Sequence, residues 1–292
     1  MRLAFIILIW GLVWIAPACN RPSPSPTQTK PTILVSIAPY QFLVQQIGGD
    51  ALSVQTVVPP GISPHAYEPT AQQVRALDRG AVWFRIGELF EDKILSILKS
   101  RNPNLVTADL REGIDLLDDP TCHLHSSQDH RDRHIWLSPK LAAIQTGRMA
   151  EILAQEFPEH RETFFENAKT LQEALSQLDQ EIATLLHSVK DRVLLVSHPA
   201  FGYFCRDYQF EQLSVEFEGK DPRPRHLEEI LQKAISHRAE IAIALPQHNN
   251  KGAQIIAEKL HVPVRMIDPY SPQYFETLLF LAHMIADPQY QQ

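Results

Sequence analysis

Four histidines of this chain lie within twelve residues, in the segment CHLHSSQDHRDRHIW. Neutral imidazole is the most common metal ligand among protein side chains. The segment therefore predicts a divalent metal ion that is bound either within it or beside it. The four histidines are His123, His125, His130 and His134.

Three further side chains that can bind metal each come just after a short apolar run that predicts a buried strand. They are His65, His198 and Asp268. Open α/β sheets bind ligands beyond the carboxyl ends of their strands. With His134 as a fourth member, three imidazoles and one carboxylate make a tetrahedral zinc set. A histidine after a strand is, however, ordinarily a hydrogen-bonded loop residue, so position alone leaves both interpretations open.

The elements that must position these residues alternate along the chain. Short apolar runs alternate with amphipathic stretches, and this pattern predicts an α/β fold with mainly parallel sheets. The predicted strands are Ile33–Ile37, Val54–Val58, Val82–Ile86, Val193–Val196, Ile241–Leu245 and Val264–Ile267. The predicted helices include Thr70–Arg79, Pro139–Gln155, His226–Ser236 and Lys251–Leu260.

One segment, from Glu162 to Val189, contains neither glycine nor proline. Its apolar residues recur every three or four positions, which predicts a buried stripe on a helix of about 28 residues and roughly 40 Å. We expect the segment 158–189, which contains this helix, to connect an N-terminal lobe at 32–157 with a C-terminal lobe at 190–292. A long surface helix on a single domain would show the same pattern.

The first nineteen residues have the pattern of a signal peptide. One arginine precedes the apolar run Leu3–Ile15, and small residues follow it. The run is shorter than the roughly 20 residues that a transmembrane helix needs. Cys19 then stands where a lipoprotein carries its acylated cysteine, with plain cleavage as the alternative. Residues 20–31 are rich in proline, serine and threonine, which predicts an extended tether. We therefore expect an exported protein, periplasmic or at the cell surface, whose contact with a membrane is a lipid anchor at Cys19.

The composition narrows the function classes. The chain has 292 residues, 44% hydrophobic and 21% charged, with a formal charge of -7. This mild acidity argues against a nucleic-acid partner, which would select a basic surface. We find no HExxH, G-x-S-x-G or P-loop motif. After Cys19, only Cys122 and Cys205 remain, so a disulfide scaffold is excluded, and whether these two form a disulfide is left open.

At these candidate residues the chain resembles a known family, the metal-binding solute-binding proteins of bacterial zinc and manganese ABC transporters (cluster A-I). The segments GISPHAYEPTAQQVRAL, HIWLSPKLA and VSHPAFGYFCRDYQF are similar to three motifs of that family. The segments GKDPRPRHLEEIL, PQHNNKGAQIIAE and IDPYSPQYFETL match its remaining landmarks in order. The likeness covers residues 32–286.

The resemblance implies two β/α lobes joined by a long rigid helix, with one metal ion at the lobe interface. It also implies a carrier and not an enzyme, which works as a monomer and delivers its ion to a membrane ABC permease. By position, His65, His134, His198 and Asp268 fall on the family's ligand positions. The fourth ligand varies across the family, which makes Asp268 the least fixed of the set.

The third ligand position separates the branches of this family. Manganese-type members tend to have glutamate there, whereas this chain has His198. Three imidazoles favour a borderline-soft ion such as Zn²⁺, and sites richer in oxygen favour Mn²⁺. We therefore expect Zn²⁺ as the transported ion, with Mn²⁺ as the alternative.

The resemblance also divides the histidine segment. His134 belongs to the site, whereas His123, His125 and His130 form a loop ahead of it. That loop would either bind a second, weaker ion or be a solvated polar loop without one.

Other residues near the motifs carry two interpretations each. Tyr67 and Glu68 either orient His65 or serve as core and surface residues. Phe201 and Tyr203 either wall the site or belong to the core, and His248 is interpreted as a loop residue.

Two further functions remain alternatives. A zinc-dependent hydrolase would use Asp268 as a base, because catalytic zinc keeps a position open for water. A surface adhesion lipoprotein would hold its metal incidentally.

Overall fold

The computed structural model describes residues 30–118, 131–190, 192–216 and 223–290. These residues form two four-stranded sheets, each entirely parallel. The strands are β1 (Thr32–Val35), β2 (Ser53–Thr56), β3 (Gly80–Arg85), β4 (Val106–Asp109), β5 (Val193–Val196), β6 (Glu211–Ser214), β7 (Ala242–Ala244) and β8 (Val264–Met266). The helices are α1 (Ala38–Gly48), α2 (Ala71–Ala76), α3 (Leu89–Arg101), α4 (Pro139–Glu156), α5 (Arg161–Leu186), α6 (Gly202–Tyr208), α7 (Pro224–Ser236), α8 (Lys251–Leu260) and α9 (Tyr274–Ala286).

The two sheets repeat one topology. Their strand orders are β2-β1-β3-β4 and β6-β5-β7-β8. The central strands β1, β3, β5 and β7 are largely buried, because helices cover both faces of a parallel sheet. The predicted α/β class with two β/α lobes is confirmed. Since parallel strands end at the same edge, each lobe gathers the residues that follow its strands.

Two strands lie outside the predicted set. The sequences of β4 and β6 are VTAD and EQLS, each only partly buried. Both lie at an edge of their sheet, where one side of the strand has no neighbour. Polar residues are tolerated there, so neither strand forms the apolar run by which the central strands were predicted.

The long helix predicted from the leucine repeat is α5, with 26 residues. Its stripe of Leu171, Leu175, Leu178 and Ile182 is buried. A 3₁₀ turn at Pro158–His160 connects α4 to α5, and the two helices pack along each other. Helices α1 and α9 also pack on α5. One continuous apolar core includes residues of β1, α5 and β5, so the two lobes share their core around α5.

The last helix crosses back to the N-terminal lobe. Tyr274 of α9 stacks on Phe42 of α1, with ring centroids 6.2 Å apart and an interplanar angle of 10°. In the part of the chain that the structure covers, no helix is both long enough and apolar enough to span a membrane.

Candidate metal centre

Three of the predicted ligands come together between the lobes. One ring nitrogen each of His65, His134 and His198 lies within 4.8 Å of the other two. The ring centroids form a nearly equilateral triangle with sides of 5.1, 5.3 and 5.1 Å. A tetrahedral zinc ion bound at about 2.0–2.1 Å by three imidazoles would space their centroids roughly 5.2 Å apart. The triangle therefore has the size that one such ion requires.

Different elements carry the three rings. His65 sits in the 3₁₀ turn Pro64–Ala66, beyond the carboxyl end of β2. His134 directly precedes the 3₁₀ turn Ile135–Leu137 that leads into α4. His198 lies two residues beyond β5. The N-terminal lobe thus supplies two imidazoles and the C-terminal lobe supplies one.

A carboxylate holds the Nδ1 atom of each ring. Glu88 lies 3.1 Å from Nδ1 of His65, Asp132 lies 2.8 Å from Nδ1 of His134, and Glu216 lies 2.8 Å from Nδ1 of His198. An ionised carboxylate only accepts hydrogen bonds, so each Nδ1 donates its proton. The Nε2 atom of each ring is then a free lone pair, which is the arrangement of metal-ligating histidines.

The Nε2 atoms of two of these rings approach each other closely. The Nε2 atoms of His65 and His134 are 3.2 Å apart, close to the roughly 3.3 Å between two ligands of a tetrahedral zinc ion. The Nε2 atom of His198 is buried and has no hydrogen-bond partner among the described residues. A cation at the centre of the triangle would be within reach of a ring nitrogen of all three histidines.

Burial and neighbouring charges keep three groups in the state that metal binding needs. Burial lowers the pKa of His198 to about 3, so that ring is neutral at physiological pH. Burial would raise the pKa of Glu216, but its hydrogen bonds to His198 and His248 bring it to about 2. Burial also opposes the charge on Glu88, yet the adjacent His65 lowers that pKa to about 2.

His65 is the imidazole whose pKa moves in the other direction. Burial lowers it, but the negative charge of Glu88 outweighs burial, and the net pKa lies above 6.5. A proton therefore competes with a metal ion more strongly at His65 than at His198.

A buried network fixes Glu88. Glu91, in the first turn of α3, accepts hydrogen bonds from the backbone N–H groups of Ile86, Gly87 and Glu88. The hydroxyl of Ser36 also donates to it. These bonds hold the backbone at the end of β3 and aim the Glu88 side chain at His65.

Tyr203 performs the same task for the second carboxylate. Its hydroxyl donates to the backbone oxygen of Asp132 at 2.7 Å and accepts from the N–H of Leu117 at 3.1 Å. Gly202, next to it, leaves space for that loop, because a Cβ there would lie 2.6 Å from Asp132 Oδ2. Tyr203 is fully buried, and its hydroxyl contacts the loop that carries His134.

Asp268 lies near the centre but is engaged elsewhere. Its Oδ1 atom accepts hydrogen bonds from Gln247 Nε2 at 2.8 Å and from the N–H of Tyr270 at 2.9 Å. Among the described residues it belongs to neither group of mutually close donor atoms. Its assignment as the fourth ligand stays a prediction. The hydroxyl of Tyr270 lies 3.5 Å from His65 Nε2.

The other residues that the sequence singled out lie in different surroundings. Glu68 is exposed and pairs with Lys93 at 2.9 Å, so it is a surface charge. Tyr67 and Phe201 are buried in the core. Predictions about His123, His125, His130, Cys122 and Cys19 fall outside the described residues. Cys205 is buried.

Sequence reasoning assigned no role in the site to four of its side chains, of which Asp132 lies two residues before His134. Glu88 follows β3, Glu216 follows β6 and His248 follows β7. The strand-end rule that selected His65 and His198 would have found Glu88 and His248. It could not find Glu216, because β6 itself was not predicted. His248 does lie in a loop, as interpreted, but its ring stacks on His198.

The sequence of this chain is similar to those of known metal-binding proteins. The family model for zinc-uptake complex component A, periplasmic, matches residues 33–287. A Chlamydia muridarum protein described as metal-binding is 32% identical over 98% of this chain and 100% of its own length. The zinc-binding lipoprotein AdcA of Streptococcus pneumoniae is 27% identical, but the match spans 67% of this chain and 40% of AdcA.

Solved structures agree with the sequence matches. A crystal structure of ZnuA superposes with a TM-score of 0.82 at 32% identity, covering 89% of this chain and 99% of the other. A ZnuA variant lacking residues 138–173 in its own numbering, with zinc bound, also gives a TM-score of 0.82 at 32% identity, covering 90% of this chain.

Proposed function

This chain belongs to the family of the periplasmic component A of zinc-uptake complexes, and on that premise we propose that it captures Zn²⁺ and delivers it to an ABC permease. Membership makes it a solute-binding protein that captures metal for ABC transport. The choice of zinc, the ligand residues and the handover to the permease are the proposal.

One observation carries the choice of site. Three imidazoles, each with a carboxylate on Nδ1, turn their Nε2 atoms toward one point between the lobes. We assign His65, His134 and His198 as three ligands of the ion. Asp268 remains the proposed fourth, which would require its carboxylate to turn from Gln247.

Ligand chemistry supports Zn²⁺ over Mn²⁺. Neutral imidazole nitrogens suit a borderline-soft ion, whereas Mn²⁺ favours carboxylate, carbonyl and water oxygens. Zn²⁺ also stands above Mn²⁺ in the general affinity order for such sites. Three neutral imidazoles and one carboxylate would leave the bound centre with a net charge of +1, which the carboxylates Glu88, Asp132 and Glu216 surround.

The carrier role fits a centre without chemistry of its own. A hydrolytic zinc needs an open coordination position and a base beside it. The carboxylates next to the three imidazoles are bound to their Nδ1 atoms, where they act on ring orientation. We therefore propose transport and not hydrolysis.

A protein that delivers metal to an ABC permease for uptake works outside the cytoplasmic membrane, as its family does. We propose that the chain is anchored there through Cys19, beyond the described residues. Labelling with a radioactive fatty acid would test this, since Cys19→Ser should lose the label.

The test of the zinc assignment is a titration of the metal-free protein with Zn²⁺ and Mn²⁺ in direct competition. We expect one tight Zn²⁺ per chain that excess Mn²⁺ does not displace. His134→Ala should lose this site, whereas the exposed His187→Ala should keep it. Retention of Mn²⁺ against Zn²⁺, or a tight site that survives His134→Ala, would overturn the proposal.

A further inference from the structure

A fourth imidazole lies against the metal centre. His248, in the loop between β7 and α8, stacks on His198 with ring centroids 3.8 Å apart and an interplanar angle of 20°. Its ring is 6.3 Å from that of His65. These distances place it outside the triangle of three histidines, next to one side of it.

One carboxylate serves both stacked rings. Glu216 Oε2 lies 2.8 Å from Nδ1 of His198 and 3.3 Å from Nδ1 of His248. Both rings therefore take the same tautomer, with the proton on Nδ1 and the lone pair on Nε2.

The Nε2 atom of His248 is buried without a hydrogen-bond partner in the described part of the chain. The same is true of His198, but a metal ion at the centre of the triangle would bind that atom. His248 would still lack a partner. Buried polar atoms are nearly always paired, and such an exception calls for a ligand or a functional reason.

His248 also belongs to a second group of mutually close donors. One donor atom each of His198, Glu216 and His248 lies within 4.8 Å of the others. His198 is common to this group and to the triangle. His198 could therefore be a ligand at both positions, through Nε2 in the triangle and through Nδ1 beside Glu216.

Exposure orders these side chains along a path from solvent. The exposed fraction is 28% for His65 and 12% for His248, but only 8% for His198 and 6% for His134. Glu216, at 16%, lies on the outer side as well. An ion that enters from solvent thus meets His65, Glu216 and His248 before it reaches His198 and His134.

We propose that His198, Glu216 and His248 form an outer metal position, through which the ion enters and leaves the three-histidine centre. This inference rests on the proposed function. At the outer position, Glu216 and the Nδ1 atoms of His198 and His248 would bind the ion while it loses water, and the proton on each Nδ1 would move to Nε2 of the same ring. As the ion moves inward to His134, the proton of each ring returns to Nδ1, and the Glu216 carboxylate resumes its hydrogen bond to His198 Nδ1.

The experiment measures release and equilibrium separately. Zinc-loaded protein is mixed with an excess of a coloured chelator in a stopped-flow instrument, which gives the release rate. Competition with the same chelator at equilibrium gives Kd, and the ratio of release rate to Kd gives the uptake rate. His248→Phe keeps an aromatic ring on His198 but removes the ligand, whereas His248→Cys restores a ligand without the ring. A phosphine reductant keeps the thiol free.

We expect His248→Phe to slow release and uptake by about tenfold each, with Kd changed less than about threefold. His248→Cys should keep both rates within about threefold of the unaltered protein, and His187→Ala should match it. Unchanged rates in His248→Phe would overturn the outer position. So would equal slowing in His248→Cys, which would make the ring a packing element. Faster release with a raised Kd in His248→Phe would instead make His248 a ligand of the inner ion. If the unaltered protein binds no zinc, it is the proposed function that fails.

Discussion

Each converging histidine has a carboxylate of its own, and this pairing decides what the centre can do. Glu88, Asp132 and Glu216 fix the proton on Nδ1, so that Nε2 is available without a change of tautomer. They also bring negative charge close to a bound cation. Ligand and carboxylate should therefore both matter for affinity, although only the ligand contacts the ion.

The pair at His134 provides the first prediction. Asp132→Asn keeps the size of the side chain but removes the charge that holds Nδ1–H. We expect zinc affinity to fall about 10–100-fold, the usual effect of losing the partner of a ligating histidine. Chelator competition measures the affinity, and the exposed Asp287→Asn is the control. Equal affinity in Asp132→Asn and Asp287→Asn would contradict the orienting role.

A second prediction concerns pH. Protons compete with zinc at His65, whose pKa is raised because the charge of Glu88 outweighs burial. Affinity should therefore begin to fall at a pH above 6.5 as the solution is acidified. His198, with a pKa of about 3, should add nothing to this fall between pH 5 and pH 7.

Glu88→Gln tests the cause. Without the charge, burial alone acts on His65 and lowers its pKa, so the fall in affinity should move to lower pH. Zinc competition from pH 5 to pH 8 would show the shift. A midpoint that stays in place or moves upward would contradict the assignment.

Strand ends and helix starts bring these side chains together at the scale of elements. Residues of the site follow β2, β3, β5, β6 and β7, and His134 precedes α4. Parallel strands make this possible, since all their carboxyl ends lie at one edge. The start of α6 lies close to the loop of Asp132, and this contact leaves no room for a side chain at Gly202.

Gly202→Ala should therefore disturb the centre from a distance. Its Cβ would lie 2.6 Å from Asp132 Oδ2, so the carboxylate must move away from His134. We expect zinc affinity to fall by about tenfold, within the range for lost orientation of a ligand. The melting temperature should fall as well.

Gly147→Ala, within α4, is the matched control. A Cβ there meets only the tip of Gln172, at 3.2 Å. Alanine also favours helix over glycine by about 1 kcal/mol, so this variant should be neutral or stabilising. Equal losses of affinity in both variants would show that the contact with Asp132 is not the cause.

At the scale of the whole molecule, the lobes are joined by more than α5. Trp136 donates to the backbone oxygen of Pro269 at 2.8 Å, and Tyr274 donates to the backbone oxygen of Trp136 at 2.6 Å. The apolar core runs through α5 into both sheets. The two lobes should therefore unfold together.

Leu178→Ala tests this unity. Leu178 is buried in the middle of α5, and removing such a side chain costs about 2–5 kcal/mol. We expect one unfolding transition in calorimetry, shifted to lower temperature as a whole. Free zinc at 100 times Kd should stabilise both proteins by about 2.7 kcal/mol. Two separate transitions, with only one shifted, would instead mean that the lobes are independent.

The sequence by itself determined the class of fold, the long helix and three of the converging side chains. Hydrophobic periodicity encodes buried strands and helix faces directly, so the central strands and α5 could be predicted from residue spacing. The positions of His65 and His198 followed from the strand-end rule, and His134 from its motif.

Only the tertiary structure decided which side chains surround these histidines. Glu216 and His248 reach His198 because β6 and β7 pair with β5 on either side of it, and no local pattern encodes that adjacency. Likewise, the position of Asp268 after its strand did not predict that Gln247 and the backbone of Tyr270 would donate hydrogen bonds to its Oδ1 atom. Contacts between residues far apart in the chain depend on how sheets and lobes pack, and packing is a property of the whole fold.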